Sequence, residues 1–100
     1  MRIEWSESAE RQLREIFDYY SFEASATIAK RIVNSIIEKV SVLRKNPLAC
    51  AKEELLSDYP QDYRCLVEGN YKIIYWIKEN VITIASVFDC RQNPVKIKKI

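Results

Sequence analysis

The segment from Arg91 to Ile100 carries Arg91, Lys96, Lys98 and Lys99 and no acid. Such a cluster seeks phosphate or an acidic protein surface, unless it is only a solvated, frayed end. The rest of the chain does little to support a nucleic-acid reading. Sixteen Lys+Arg against 14 Asp+Glu leave a net charge of +2, too small to imply nucleic-acid binding by itself. Cys50, Cys65 and Cys90 are odd in number and lack C-x-x-C spacing. The chain has no histidine, so a zinc site would have to combine cysteines with carboxylates, and none is expected. The three thiols read as reduced cysteines of a cytosolic protein. No cofactor is implied.

These residues need a scaffold, and composition allows one. Hydrophobic residues make up 48% of the 100 residues, which suits one packed domain over 1–100. One glycine and three prolines leave little room for flexible linkers. The opening Met1-Arg2-Ile3-Glu4-Trp5 lacks the apolar stretch of a signal peptide, and no apolar run is long enough to span a membrane.

Arg2 to Trp5 alternates as a short strand. Ser6 is placed to cap a helix, with Glu7 and Glu10 facing its positive end. Ala9, Leu13, Ile16, Phe17 and Tyr20 then follow at helical spacing to about Phe22. Ser25 or Thr27 starts a second helix, whose wider stripe runs from Ile28 to Leu43 and which Asn46-Pro47 stops. Leu48 to Gln61 has no period; Leu55 and Leu56 are expected to pin it to the core. Tyr63 to Glu68 and Tyr71 to Ile77 read as strands joined by a type II′ turn at Gly69-Asn70, where glycine supplies the positive φ. Val81 to Phe88 is a last, β-branched strand. The order is β-α-α-β-β-β, an α+β fold with a helical hairpin packed on a small, mainly antiparallel sheet.

That turn fixes the register and sorts the faces. Leu66, Tyr71, Ile73, Tyr75 and Ile77 share the side suited to the helices. Tyr63, Cys65, Val67, Lys72, Ile74 and Trp76 share the other. A bare patch of Tyr63, Ile74 and Trp76 would mark a partner site. The competing expectation is that the C-terminal segment folds over it.

The segment Ile3-Glu4-Trp5-Ser6-Glu7-Ser8-Ala9 resembles the strand-to-helix start of the RelE/ParE toxin superfamily. Asn34 to Pro47 resembles its second helix. Tyr63 to Tyr75, with Gly69-Asn70-Tyr71-Lys72-Ile73-Ile74-Tyr75 at its centre, resembles its hairpin. Val87-Phe88-Asp89-Cys90-Arg91-Gln92-Asn93-Pro94 is similar to the last strand and the R-x-x-P exit of the ParE side. The resemblance covers nearly the whole chain. It implies a cytoplasmic toxin of a type II toxin–antitoxin, plasmid-stabilising system, neutralised by a cognate antitoxin. Family antitoxins lay a flexible segment along the toxin, as a helix in a groove or an added strand. The Tyr63, Ile74 and Trp76 face is one receptor; a groove beside the helical hairpin is another.

The superfamily divides by activity. RelE-like members cut messenger RNA on the ribosome, whereas ParE-like members act on DNA gyrase. Attack by a ribose 2′-hydroxyl needs a base, cations on the phosphorane-like transition state and an acid for the leaving oxygen. Lys72 stands where the nucleases place an arginine, and a lysine lacks the bidentate fork. Without histidine, the remaining candidates for a catalytic set are Lys72, Asp89, Arg91, Glu53 and Glu54. The extended exit after Asp89 favours the ParE side, with Arg91, Lys96, Lys98 and Lys99 as target contacts. A ribonuclease, or a degenerate toxin that only binds antitoxin, stands as the alternative.

Overall fold

The computed structural model describes residues 1–100. Strand β1 covers Arg2–Trp5 and delivers the chain to Ser6. The Ser6 hydroxyl accepts from the Ala9 amide at 3.0 Å and starts helix α1, Glu7–Glu23. Ser25, not Thr27, caps helix α2, Ala26–Ser41, by accepting from the Ile28 amide at 3.2 Å. The α-helix ends at Ser41 and tightens into a 3₁₀ helix at Val42–Arg44. Proline bars the α conformation for the residue before it, and a tightened last turn is a common way to end.

Strands β2 (Arg64–Glu68), β3 (Tyr71–Lys78) and β4 (Val81–Asp89) complete a sheet of order β1-β4-β3-β2. β1 pairs parallel with β4; the other pairs are antiparallel. The fold is therefore α+β with the expected β-α-α-β-β-β order. Gly69 has φ +58°, and Glu68 faces Tyr71 while Arg64 faces Tyr75, as the turn requires. Glu79 turns the second hairpin with φ 57°, a left-handed conformation for a side chain with a Cβ.

The helices bury one face of this sheet. Ala9, Ile16, Ile36 and Val40 meet Tyr71, Ile73, Tyr75, Ile82, Ile84 and Val87 in the main core. Tyr75 is fully buried, and its hydroxyl donates to the Pro47 carbonyl at 2.8 Å, tying the end of the helical hairpin to β3. Burial of this phenol raises its pKa. No helix is long and apolar enough to cross a membrane.

The other face is not bare. Ile74 is fully buried in a second core with Leu56 and Ile97. Leu56 comes from a 3₁₀ helix at Glu54–Leu56, whereas Leu55, expected to help pin this connection, remains 38% exposed. Ile97 comes from a 3₁₀ helix at Pro94–Lys99, opened by Asn93, whose side chain accepts from the Val95 amide at 3.1 Å. The Tyr59 hydroxyl donates to the Lys98 carbonyl and holds the two segments together. The C-terminal segment is thus part of the fold and not a frayed end.

An Ile97→Ala variant is expected to lose ~2–4 kcal/mol by opening a cavity against Ile74. Truncation after Asp89 would remove this cover entirely. Urea unfolding of both chains checks this; wild-type stability after truncation would contradict a structural role for the segment.

Candidate functional site

The candidate charges gather in two places, and the sheet separates them. Lys72 lies on the second-core face, where its ammonium meets the Glu53 carboxylate at 2.9 Å. Glu53 caps the Glu54–Leu56 turn through the Leu55 amide and is 5% exposed. Burial works against the Lys72 charge, but the Glu53 hydrogen bond and charge outweigh it, and the pKa of Lys72 is raised. The neighbouring Cys65 thiol is pushed up to about 11, chiefly by burial and then by Glu53. Glu54 points into solvent and joins neither group.

Asp89 pairs with Tyr71 across the ladder, and Lys72 pairs with Phe88. Facing residues share a side and successive residues alternate, so Asp89 lies on the helix side of the sheet and Lys72 on the opposite side. There Asp89 takes two hydrogen bonds from the Arg91 guanidinium, at 2.9 and 2.8 Å. Those bonds hold its carboxyl below the usual range. The same guanidinium and the Tyr71 hydroxyl reach Tyr20 on α1, each at 3.4 Å. The bond from Tyr71 is the main reason that the Tyr20 pKa is lowered. Five candidates for a single catalytic set thus resolve into one pair on each face and one isolated acid.

Beside the Asp89 pair lies a cleft of about 800 Å³ between α1, the outer half of β4 and the C-terminal 3₁₀ helix. Arg91, Lys96 and Lys99 line it. Lys98 is exposed without forming an ion pair. Gln12 also lines the cleft; its side-chain oxygen accepts from the Val87 amide at 2.7 Å and the Ser86 hydroxyl at 3.2 Å. Gln12 does not stand out in the sequence, and Tyr20 is legible there only as part of the apolar stripe of α1, because their polar partners are not fixed until β3 and β4 are placed beside the helix.

The expected antitoxin face needs correction. Ile74 offers no surface, being sealed by Leu56 and Ile97; Tyr63 packs partly against the same cluster. Trp76 is half-buried, one pair further along β3.

The class that this scaffold defines is a small α+β domain with a helical hairpin on one face of a four-stranded sheet and charged pairs on both. Over residues 3–94 the chain matches the family described as ParE toxin of type II toxin–antitoxin system, parDE, and it belongs to that family. A solved chain from P. aeruginosa, described as a chromosomal ParDE TA system, is similar in fold with TM-score 0.74 and 23% identity. The match covers 89% of this chain and 95% of that one. No curated protein matches.

The Asp89–Arg91 geometry makes a direct test. The carboxyl is expected to titrate below the ordinary carboxylate range, and Arg91→Ala should return it toward that range. Because the folded pKa is depressed, any stabilisation by the pair is present above the unfolded pKa and lost as pH falls through the folded one. Carboxyl carbon NMR titration reads it; an ordinary value in the wild type would contradict the bonded geometry.

Proposed function

We propose that this ParE-family toxin acts in the cytoplasm by inhibiting DNA gyrase and is neutralised by a cognate antitoxin. The observation that carries the reading is the division of the charged candidates. A ribonuclease needs its base, acid and phosphate-binding cations around one scissile bond, within hydrogen-bond reach. Here Lys72 and Asp89 lie on opposite faces of the sheet, each already held by a counter-charge. Inhibition by binding requires no such set. It requires an accessible surface, and Arg91, Lys96, Lys98 and Lys99 supply exposed cations along one structured segment. The family membership supports the antitoxin as a partner.

For antitoxin contact, Trp76 and the partly covered Tyr63 remain the proposed aromatic anchors of the sheet face. Ile74 would join them only if the segment above it moved. The cleft beside α1 is the more open receptor, because it is already formed.

Purified toxin is expected to block gyrase supercoiling while messenger RNA stays intact during in vitro translation. Adding the antitoxin encoded beside the toxin should restore supercoiling. Site-specific cuts in message, with gyrase unaffected, would overturn the proposal in favour of a RelE-like ribonuclease. Inactivity in both assays, with antitoxin still bound, would indicate a degenerate toxin.

A further inference from the structure

Strand β4 is longer than the strand beside it. It has nine residues, Val81–Asp89, and β1 pairs only with Val81 to Ile84. The remainder, Ala85 to Asp89, is the floor of the cleft described above, with α1 as one wall and the C-terminal 3₁₀ helix as the other. The wall from α1 is a single stripe, Ser8, Arg11, Gln12, Glu15, Ile16 and Tyr19, at the spacing of one helix face. From Ser8 to Tyr19 it runs roughly 16 Å at the rise of an α-helix. With about 800 Å³ of space, the cleft has the size of a small-molecule site.

The polar groups of this cleft are already sorted by the fold. The Val87 amide can only donate, so the Gln12 oxygen faces it at 2.7 Å and the Gln12 NH2 group is turned away from the strand. That NH2 group makes no hydrogen bond within the fold. The Arg91 guanidinium gives Nε and Nη2 to Asp89, and Nη2 also to Tyr20, which leaves Nη1 without a partner. Lys96 and Lys99 make no ion pair. Arg11 meets Glu15 only at 3.6 Å, with both side chains more than half exposed. Glu15 and Asp89 are the carboxylate side chains of the lining, and each already faces an arginine.

The uncommitted charge of the cleft is therefore positive, and with the Gln12 NH2 group it offers hydrogen-bond donors from both walls. Such a set fits a ligand that only accepts, with oxygens spread along its length so that it reaches both sides. A single carboxylate has two oxygens in one place. A chain of phosphates distributes charge and acceptors along a line, and lysine serves phosphate well as a point charge. The stripe of α1 also ends on an aromatic ring. Tyr19 is 54% exposed, and the Tyr20 ring stands edge-on to it at 5.0 Å, which fixes its orientation. An exposed ring held in this way is a platform on which a nucleobase stacks.

We propose that the cleft binds a nucleoside polyphosphate. The phosphate chain lies between Lys96 and Lys99 on one wall and Arg11 and the Gln12 NH2 group on the other, with Arg91 Nη1 at its side, and the base stacks on Tyr19. Asp89 and Tyr20 act as positioning residues, because they hold the guanidinium of Arg91 and leave one edge of it to the ligand. The site belongs to the free toxin and does not rest on the gyrase or the antitoxin reading. If the gyrase reading holds, a bound nucleotide masks two of the cations proposed to meet that target, and toxicity becomes sensitive to nucleotide supply.

Calorimetric titration of the full-length toxin with ATP and with inorganic tripolyphosphate, both without divalent cations, tests this. Both probes should bind saturably, and ATP more tightly. Lys96→Ala combined with Lys99→Ala should weaken both ~10-fold or more, the scale of lost charge-assisted hydrogen bonds. The remote pair Lys45→Ala and Lys78→Ala, also exposed and free of ion pairs, should leave both unchanged. Tyr19→Ala should weaken ATP ~5-fold or more and leave tripolyphosphate unchanged, whereas Tyr19→Phe should bind ATP as the wild type does. On the wild type, ATP should shift the NMR signals of the Gln12 side-chain amide and of Arg91, a readout independent of how any variant folds. No saturable binding of either probe would overturn the site. Equal weakening by the remote lysine pair would reduce it to diffuse attraction by a cationic chain and overturn it as well. Equal affinity for the two probes, with Tyr19→Ala silent, would overturn the nucleoside and leave an inorganic polyphosphate as the ligand.

Discussion

Strand β3 must be covered on both faces, and much of the molecule follows from that requirement. Ile73 and Tyr75 on one side and Ile74 on the other are all fully buried. The helical hairpin can satisfy only the first side, because α1 and α2 lie together over one face. The second cover has to come from elsewhere, and it comes from Leu56 in the connection before β2 and Ile97 after β4. Burying such side chains is worth ~1.5–3 kcal/mol each, a large share of the margin of a chain this size. Segments that look like connection and tail in the sequence are therefore structural.

This double cover also decides where charge can sit. Lys72 alternates with Ile73 and must emerge on the second-core side, where Glu53 accompanies it at 2.9 Å. An unpaired ammonium there would carry a desolvation penalty, so the pair reads first as the means by which the connection is held to the sheet. Asp89, at the far end of β4 on the helix side, and the half-exposed Arg91 just beyond the strand emerge beside the cleft. The functional surface is thus concentrated where the sheet outruns its cover, at the end of β4, and the second face is largely consumed by stability.

Local signals made most of the architecture legible in the sequence. Ser6 and Ser25 announce helix starts because a side-chain oxygen is needed there, and Gly69 announces the hairpin because its φ must be positive. The hairpin register then sorts Ile73 from Ile74 correctly. Long-range partners were not legible. Nothing near Ile97 states that it will rest on Ile74, so two expectations stand open in the sequence: the bare face around Tyr63, Ile74 and Trp76 fails at its most buried member, and the competing one, a C-terminal segment folded over it, holds at Ile74. Gln12 was invisible for the same reason: its role arises only because β1 is shorter than β4. The candidate set Lys72, Asp89, Arg91, Glu53 and Glu54 looked contiguous along the family pattern, and the one-residue alternation of β3 and β4 divided it.

That division is the central claim, and double-mutant cycles on folding stability test it most directly. Glu53→Ala and Lys72→Ala should be coupled, by ~0.5–3 kcal/mol, as expected of groups in contact. Lys72→Ala and Asp89→Ala should add to within ~0.3–0.5 kcal/mol, as expected of groups without shared partners. A Lys72–Asp89 coupling as large as that of Lys72 with Glu53 would contradict the division and return the two to a single site.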